Sequence, residues 1–388
     1  MHKLSTLLGM PQHRFASIHV VGTNGKSSVT RMSAALLEAH GIPSGACVSP
    51  HAARWSERVL VHGEEISAEA FARAVERAAS AAEAVNRALE PGEVVTQFEL
   101  ATAAAFVALA DARVKAAVIE AGLGGRLDAT NTIPSKVTVL TSVGLDHTEW
   151  LGETEEEIAA EKLAVLRDQT TLVLGGVSAA VAALAERTAA ERGAELVVAP
   201  EDPGREIRLR ATGGFQRRNF ALACAATEAF LGELDPPKVA AVAAEIEIPG
   251  RLERVSDDPP VYLDAAHNPD GARALAEALP EVTESRSAVA VLAILADKDA
   301  RAMIGALAPS LTSVVCSSLP SARGPGYGAE ELAGMCAEAG VAAQVEEDFA
   351  AAVVRGRELA REIGGALLVT GSHYALAPAR AALGLPSA

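Results

Sequence analysis

Residues 18–29, Ile18-His19-Val20-Val21-Gly22-Thr23-Asn24-Gly25-Lys26-Ser27-Ser28-Val29, run from a short apolar stretch through a glycine-rich turn into a segment of helical pattern. The spacing predicts a strand over 19–21 and a helix over 28–40 that stops at Gly41, a residue that readily takes the left-handed conformation after a helix. In that order, backbone N–H groups and the positive helix end face a bound phosphate. Lys26 adds a point charge, and a hydroxyl from Ser27 or Ser28 can reach Mg²⁺. Only Thr23 and Asn24 separate Gly22 from Gly25, two residues fewer than the usual phosphate-loop pattern. A plain glycine turn with an exposed lysine is the alternative, but the flanking strand and helix favour a loop that holds ATP.

With 388 residues the chain can bury more than one core, and two domains are expected. Hydrophobic residues make up 49% with few aromatics, which describes a helix-rich globular protein and not a disordered one. The longest clean apolar run, residues 288–296, is too short for a membrane span and reads as a buried strand. The first residues show neither a long apolar core nor a small-residue cleavage site, so a cytoplasmic location is expected. Cys47, Cys224, Cys316 and Cys336 show no paired spacing, which argues for free buried thiols over disulfides or a zinc site. The net charge of −16 disfavours nucleic acid and anionic membranes as partners. An anionic substrate must then be drawn by a local basic pocket.

β-type runs alternate with helical stretches throughout, the pattern of an α/β protein with a largely parallel sheet covered on both faces. Strands are expected over 46–49, 116–120, 137–142 and 171–174, and helices over 68–90 and 97–110. The stretch 248–260, with a Pro-Gly bend followed by two aspartates and two prolines, reads as a linker. Beyond it, strands over 261–264, 288–295, 313–317, 342–346 and 366–371 indicate a second, smaller α/β domain.

Several strand ends carry chemistry. Glu120 closes an apolar run and is followed by a glycine-rich loop, Gly122-Leu123-Gly124-Gly125-Arg126-Leu127-Asp128-Ala129-Thr130-Asn131. Beside a phosphate loop such a carboxylate is a credible Mg²⁺ ligand; alone it would be a solvated strand end. Asp146 and His147 end the next strand, where a lone histidine is more often a surface or core residue than a ligand. Lys162 reads by pattern as a surface partner of Glu157 or Glu161. In the second domain Asp264 could accept hydrogen bonds from a ribose, while Asn268 followed by Pro269 fits a helix cap. Arg251, at the junction, has the chemistry to clamp a transferring phosphoryl group.

Jointly these residues resemble the dihydrofolate synthase/folylpolyglutamate synthase family, a branch of the Mur ligase superfamily. The likeness runs through residues 19–26, Ser49-Pro50-His51 with Ser56-Glu57-Arg58, Thr96-Gln97-Phe98-Glu99, residues 120–131, and Leu145-Asp146-His147 with Leu151-Gly152. It continues through Glu161-Lys162, Pro249-Gly250-Arg251, residues 264–269, residues 295–299 and Thr370-Gly371-Ser372. The resemblance implies a P-loop-containing, mostly parallel sheet domain like the Mur ligase central domain over 1–250, followed by a smaller Rossmann-like domain over 251–388.

It further implies an ATP-dependent ligase. A folate-type carboxylate, that of dihydropteroate or a tetrahydrofolate, takes the γ-phosphoryl group to become an acyl phosphate, and the amine of L-glutamate attacks it. Ser28, Ser49, Glu120 and His147 would bind Mg²⁺, and Lys162 would be carbamylated, which turns an ammonium into an anionic ligand. Thr23, Asn24, Gly25, Lys26, Ser27 and Ser28 would hold the phosphates, with Asn219, Arg251, Asp264 and His267 contacting ATP from the other side. Lys26, Lys162, His147 and Arg251 would carry the chemistry, by positioning and charge neutralisation. Phe98, Glu99, Leu127, Asp128 and Ala129 would line the pterin side. A monomer acting on small molecules is expected.

Three departures stand out. Ser27 occupies a position that is often glycine in the family, leaving two adjacent hydroxyls, of which Ser28 is favoured for Mg²⁺. Ala52-Ala53-Arg54-Trp55 replaces a more usual leucine-containing segment. Few residues precede Pro11, where the family commonly carries a further helix and loop that touch dihydropteroate, so of a bifunctional activity the dihydropteroate half is the less expected. Two rivals remain: a Mur-type ligase joining an amino acid to a cell-wall precursor, and a regulatory protein that binds ATP without catalysis. Folate-type motifs around Ser49, Glu99 and Asp128 speak against the first. Glu120, His147, Lys162 and Arg251 speak against the second.

Overall fold

A computed structural model describes residues 1–284, 286–319 and 324–386. The chain divides into two compact units, one of residues 1–208 and 218–246, the other of residues 209–217 and 247–388. The first holds strands β1 (Ala16–Val21), β2 (Ser44–Cys47), β3 (Val59–Val61), β4 (Glu64–Glu65), β5 (Ala116–Glu120), β6 (Ser135–Leu140), β7 (Thr171–Leu174) and β8 (Glu195–Val198). They form one sheet in the order β4-β3-β2-β5-β1-β6-β7-β8. From β2 to β8 every pairing is parallel, and only the β2–β3 and β3–β4 pairings at one edge are antiparallel.

β1 and β5 are buried almost throughout, which is why they read as continuous apolar runs and not as alternating ones. Two cores account for this. On one face Phe106, Leu109 and Val85 of helices Gln97–Asp111 and Ala68–Asn86 pack with Ile119 and Val59. On the other, Ala159 and Leu163 of Glu155–Leu163 and Val181 of Ala179–Arg192 pack with Val21, Leu140 and Leu172. Because β2, β5, β1 and β6 are adjacent and parallel, their C-terminal loops emerge along one edge, where ligands sit in open α/β sheets.

The second unit holds β9 (Glu253–Asp257), β10 (Pro260–Leu263), β11 (Ala288–Leu292), β12 (Ser313–Cys316), β13 (Ala342–Val345) and β14 (Ala366–Thr370), in the order β13-β12-β11-β14-β10-β9. All pairings are parallel except that of β9 with β10. This corrects the linker reading of 248–260. Residues 253–257 are an edge strand, and Asp258-Pro259 is the turn of a hairpin, where the missing N–H of proline costs no ladder bond. The phosphate-loop helix spans Lys26–Ala39, with Gly41 at φ +81° just beyond it. β3, β4 and β8, short and partly polar, escaped the sequence reading. All four cysteines are free thiols, with the sulfurs of Cys316 and Cys336 3.7 Å apart in the core of the second unit. Among the described residues no helix is long and apolar enough to cross a membrane.

Candidate active site

The loop after β1 is braced by the loop after β6. Thr141 Oγ1 donates to the Asn24 carbonyl at 2.6 Å, the Asn24 amide donates to Ser142 Oγ at 3.0 Å, and the Gly144 amide donates to Thr23 Oγ1 at 3.1 Å. Gly22 lies so close to the Thr141 hydroxyl that a Cβ would collide with it. Gly25 needs its missing side chain twice over: its φ is +83°, and a Cβ would stand 2.5 Å from Asn219 Oδ1. Asn219, 194 positions later in sequence, thus lies on the phosphate loop.

Lys26 and Lys162 share one acceptor. Lys26 Nζ donates to the carbonyls of Gly22 and Thr23 at 3.0 Å each, and Lys162 Nζ donates to the same Gly22 carbonyl at 3.0 Å. Lys162 is 3% exposed, and burial, then the neighbouring Lys26 charge, pulls its pKa from 10.5 to about 7. The reading of Lys162 as a surface partner of Glu157 or Glu161 is therefore overturned. Glu161 pairs with Arg126 instead, and Glu157 accepts from the amides of Glu153 and Thr154.

Glu120, 2% exposed at the end of β5, is held from two sides. Ser27 Oγ donates to Oε1 and the Ser49 amide donates to Oε2, each at 2.9 Å. The Ser27 hydroxyl thus lies beside the carboxylate, whereas Ser28 Oγ is buried away from any protein partner among the described residues. His147 takes a left-handed φ of +53° at the head of a four-residue helix, with its ring 3.8 Å from the Asp146 carboxylate. Among the described residues no three His, Cys, Asp or Glu side chains converge as a self-sufficient metal site. A hard cation here needs hydroxyl and phosphate oxygens besides Glu120, and that donor set suits Mg²⁺.

The glycine-rich loop is organised by its own residues. Asp128 accepts from the amides of Gly122 and Leu123 with one oxygen and from the amide and hydroxyl of Thr130 with the other. Thr130 Oγ1 lies 2.8 Å from Nε2 of His19, a fully buried ring whose pKa falls to about 3 through burial and then the Arg167 charge. Because the threonine proton goes to Asp128, the neutral ring must donate from Nε2. The tip of the Phe98 ring occupies the space where Gly122 lacks a side chain. Leu127 is 93% exposed and Ala129 is buried. Glu99 closes a capping box with Thr96, a T-x-x-E signal visible in the sequence, and its other oxygen accepts from the Met1 amine at 2.7 Å.

In the second unit Arg251, Asp264 and His267 lie together. Asp264, 4% exposed, accepts from the amides of Leu252 and Ala266; burial raises its pKa, and the Arg251 charge and those two amides oppose the rise. Its oxygens are thus engaged by the Pro-Gly-Arg turn and the turn after β10. His267 Nδ1 lies 2.9 Å from the Ala265 carbonyl, so that nitrogen carries the proton. Asn268 caps helix Pro269–Val282 by accepting from the Gly271 amide at 2.8 Å, as its pairing with Pro269 suggested.

Residues 20–188 match the Mur ligase middle domain and residues 250–373 the Mur ligase glutamate ligase domain. The chain is 37% identical to the dihydrofolate synthase/folylpolyglutamate synthase of Mycobacterium tuberculosis over 358 residues, covering 82% of this chain and 74% of that one. The structure of M. tuberculosis folylpolyglutamate synthase complexed with ADP superposes with a TM-score of 0.93 at 32% identity, covering 100% of this chain and 94% of the other. A bifunctional folylpolyglutamate synthase/dihydrofolate synthase from Yersinia pestis, complexed with AMPPNP and Mn, gives 0.83 at 29%, covering 98% and 92%. A phosphate loop, a buried lysine on its first glycine carbonyl and matching domains on both sides make this chain a member of the Mur ligase family, in its dihydrofolate synthase/folylpolyglutamate synthase branch.

Proposed function

We propose that this chain joins L-glutamate to a folate-type carboxylate in an ATP-driven reaction that passes through an acyl phosphate. The observation that carries this reading is the meeting of Glu120, Lys26 and Lys162 at one phosphate loop. The loop amides and Lys26 orient the triphosphate and face the charge that builds on the transferring oxygens. Glu120, Ser49, His147 and a hydroxyl of Ser27 or Ser28 would hold Mg²⁺. When bound, the cation neutralises charge between the phosphates and polarises the γ-phosphoryl group.

Lys162 suits carbamylation for a physical reason. CO₂ reacts with a neutral amine, and a lysine of pKa about 7 supplies one at physiological pH. The anion so formed would replace a repulsive Lys26–Lys162 contact with an attractive one. Arg251, Asp264 and His267 would contact ATP. Phe98, Leu127, Asp128 and Ala129 would border the acceptor, Asp128 by shaping the loop. The regulatory alternative has no need of this arrangement, and the relatives named above speak for a folate acceptor over a cell-wall precursor.

The test offers labelled glutamate with Mg·ATP and either dihydropteroate or tetrahydrofolate. Glutamylation of one or both is expected, and the pattern tells dihydrofolate synthesis from polyglutamate extension. If neither acceptor is glutamylated, the folate assignment is wrong.

A further inference from the structure

A cavity of about 610 Å³ lies where β6 and β7 begin, at the end of the first unit's sheet opposite the phosphate loop. Ile133 and Pro134 form apolar wall, while His2, Lys136 and Arg167 bring basic groups, and no described acidic residue lines it in a chain of net charge −16. Arg167 is half-buried. Its Nη2 donates to the Asn131 carbonyl and side-chain oxygen at 2.7 and 2.8 Å, and its Nε donates to the Ile133 carbonyl at 3.2 Å. These partners are all neutral. The adjacent carboxylate, Asp168, pairs with Arg192. Burial and then the Arg192 charge lower the pKa of Arg167 while the Asp168 charge opposes the drop, the mark of a buried cation only partly compensated.

We propose that this cavity is a binding site for a small oxyanion, a phosphate or a carboxylate, held by Arg167 and Lys136. Such an anion adds to the partial compensation that Asp168 gives Arg167. The site would also bear on the catalytic half of the unit. Arg167 holds Asn131, Asn131 Nδ2 donates to the Arg126 carbonyl, and Arg126 is bonded through its amide and its guanidinium to Glu161, next to Lys162. Occupancy therefore reaches the lysine helix through Asn131, the glycine-rich-loop residue that lines the cavity.

The experiment is calorimetric titration of the full chain with inorganic phosphate and, separately, with L-glutamate, against potassium chloride at matched ionic strength. Which anion binds tells phosphate from carboxylate. Lys136→Glu, an exposed change that should leave folding intact, is expected to weaken the binding by about tenfold or more, the weight of one charge-assisted hydrogen bond. Lys26→Met, at the phosphate loop, is expected to leave it unchanged. Exchange of the amides of residues 122–131 should slow on anion binding in wild type and in Lys26→Met alike. Binding that Lys26→Met abolishes and Lys136→Glu preserves would assign the anion to the phosphate loop and overturn the proposal, as would the absence of binding of either anion.

Discussion

Lys162 shows how much one buried side chain can report. Its pKa drops from 10.5 to about 7, so between those values the unfolded chain binds more protons than the folded one. Stability therefore rises with pH across that window, by up to about 1.4 kcal/mol per pH unit, and the cost of burying the ammonium is fully present below pH 7. In CO₂-free buffer Lys162→Met should abolish this slope and raise the melting temperature at pH 7 by on the order of 5 °C. The same variant should lose about 100-fold or more in kcat for glutamate addition while retaining ATP affinity, read by isotope incorporation and nucleotide titration. Ser27 and Ser28 part in the opposite sense to the sequence-based preference. Because the Ser27 hydroxyl bonds Glu120 and Ser28 Oγ is sealed, Ser27→Ala should weaken Mn·ADP binding several-fold, measured by paramagnetic resonance, and Ser28→Ala should not. The reverse ranking would restore Ser28.

Among the elements, the glycine-rich loop after β5 shows why small residues were needed. A Cβ on Gly125 would stand 2.6 Å from the Glu161 carbonyl and 2.8 Å from that of Lys162, backbone that cannot swing aside. Gly125→Ala should therefore cost about 1–3 kcal/mol in urea unfolding and displace the lysine helix, reducing turnover more than Gly305→Ala, where a Cβ meets open space. Asp128 belongs to this element more than to any ligand. With both oxygens engaged by the loop, it sets the loop's shape.

At the scale of the molecule, the second unit is discontinuous in sequence. Residues 209–217 belong with 247–388, Phe215 packs on its core, and a Cβ on Gly213 would stand 3.1 Å from that of Ala278. A fragment of residues 247–388 should therefore melt several degrees below one of residues 209–388, in parallel calorimetric scans. Equal melting temperatures would show that the segment contributes nothing.

Legibility in the sequence followed the range of the interaction. β1, the phosphate loop and its helix, the Gly41 stop and the Asn268 cap were readable because each rests on neighbours a few positions away. The hairpin of β9 and β10 was hidden by prolines and aspartates that resemble a linker, since only pairing to β14 makes that stretch a sheet edge. Ser27 and Ser28 are equivalent as letters, and packing alone sends one hydroxyl to Glu120. Lys162 is a surface residue by helical pattern, and only the resemblance raised it above that. The sequence by itself determined the central strands, their loops and their helices, though not the edge strands β3, β4, β8 and β9, because backbone propensity and apolar periodicity are local. Tertiary structure decided that two lysines 136 positions apart share the Gly22 carbonyl, because strand order and parallel direction set which loops meet at one sheet edge.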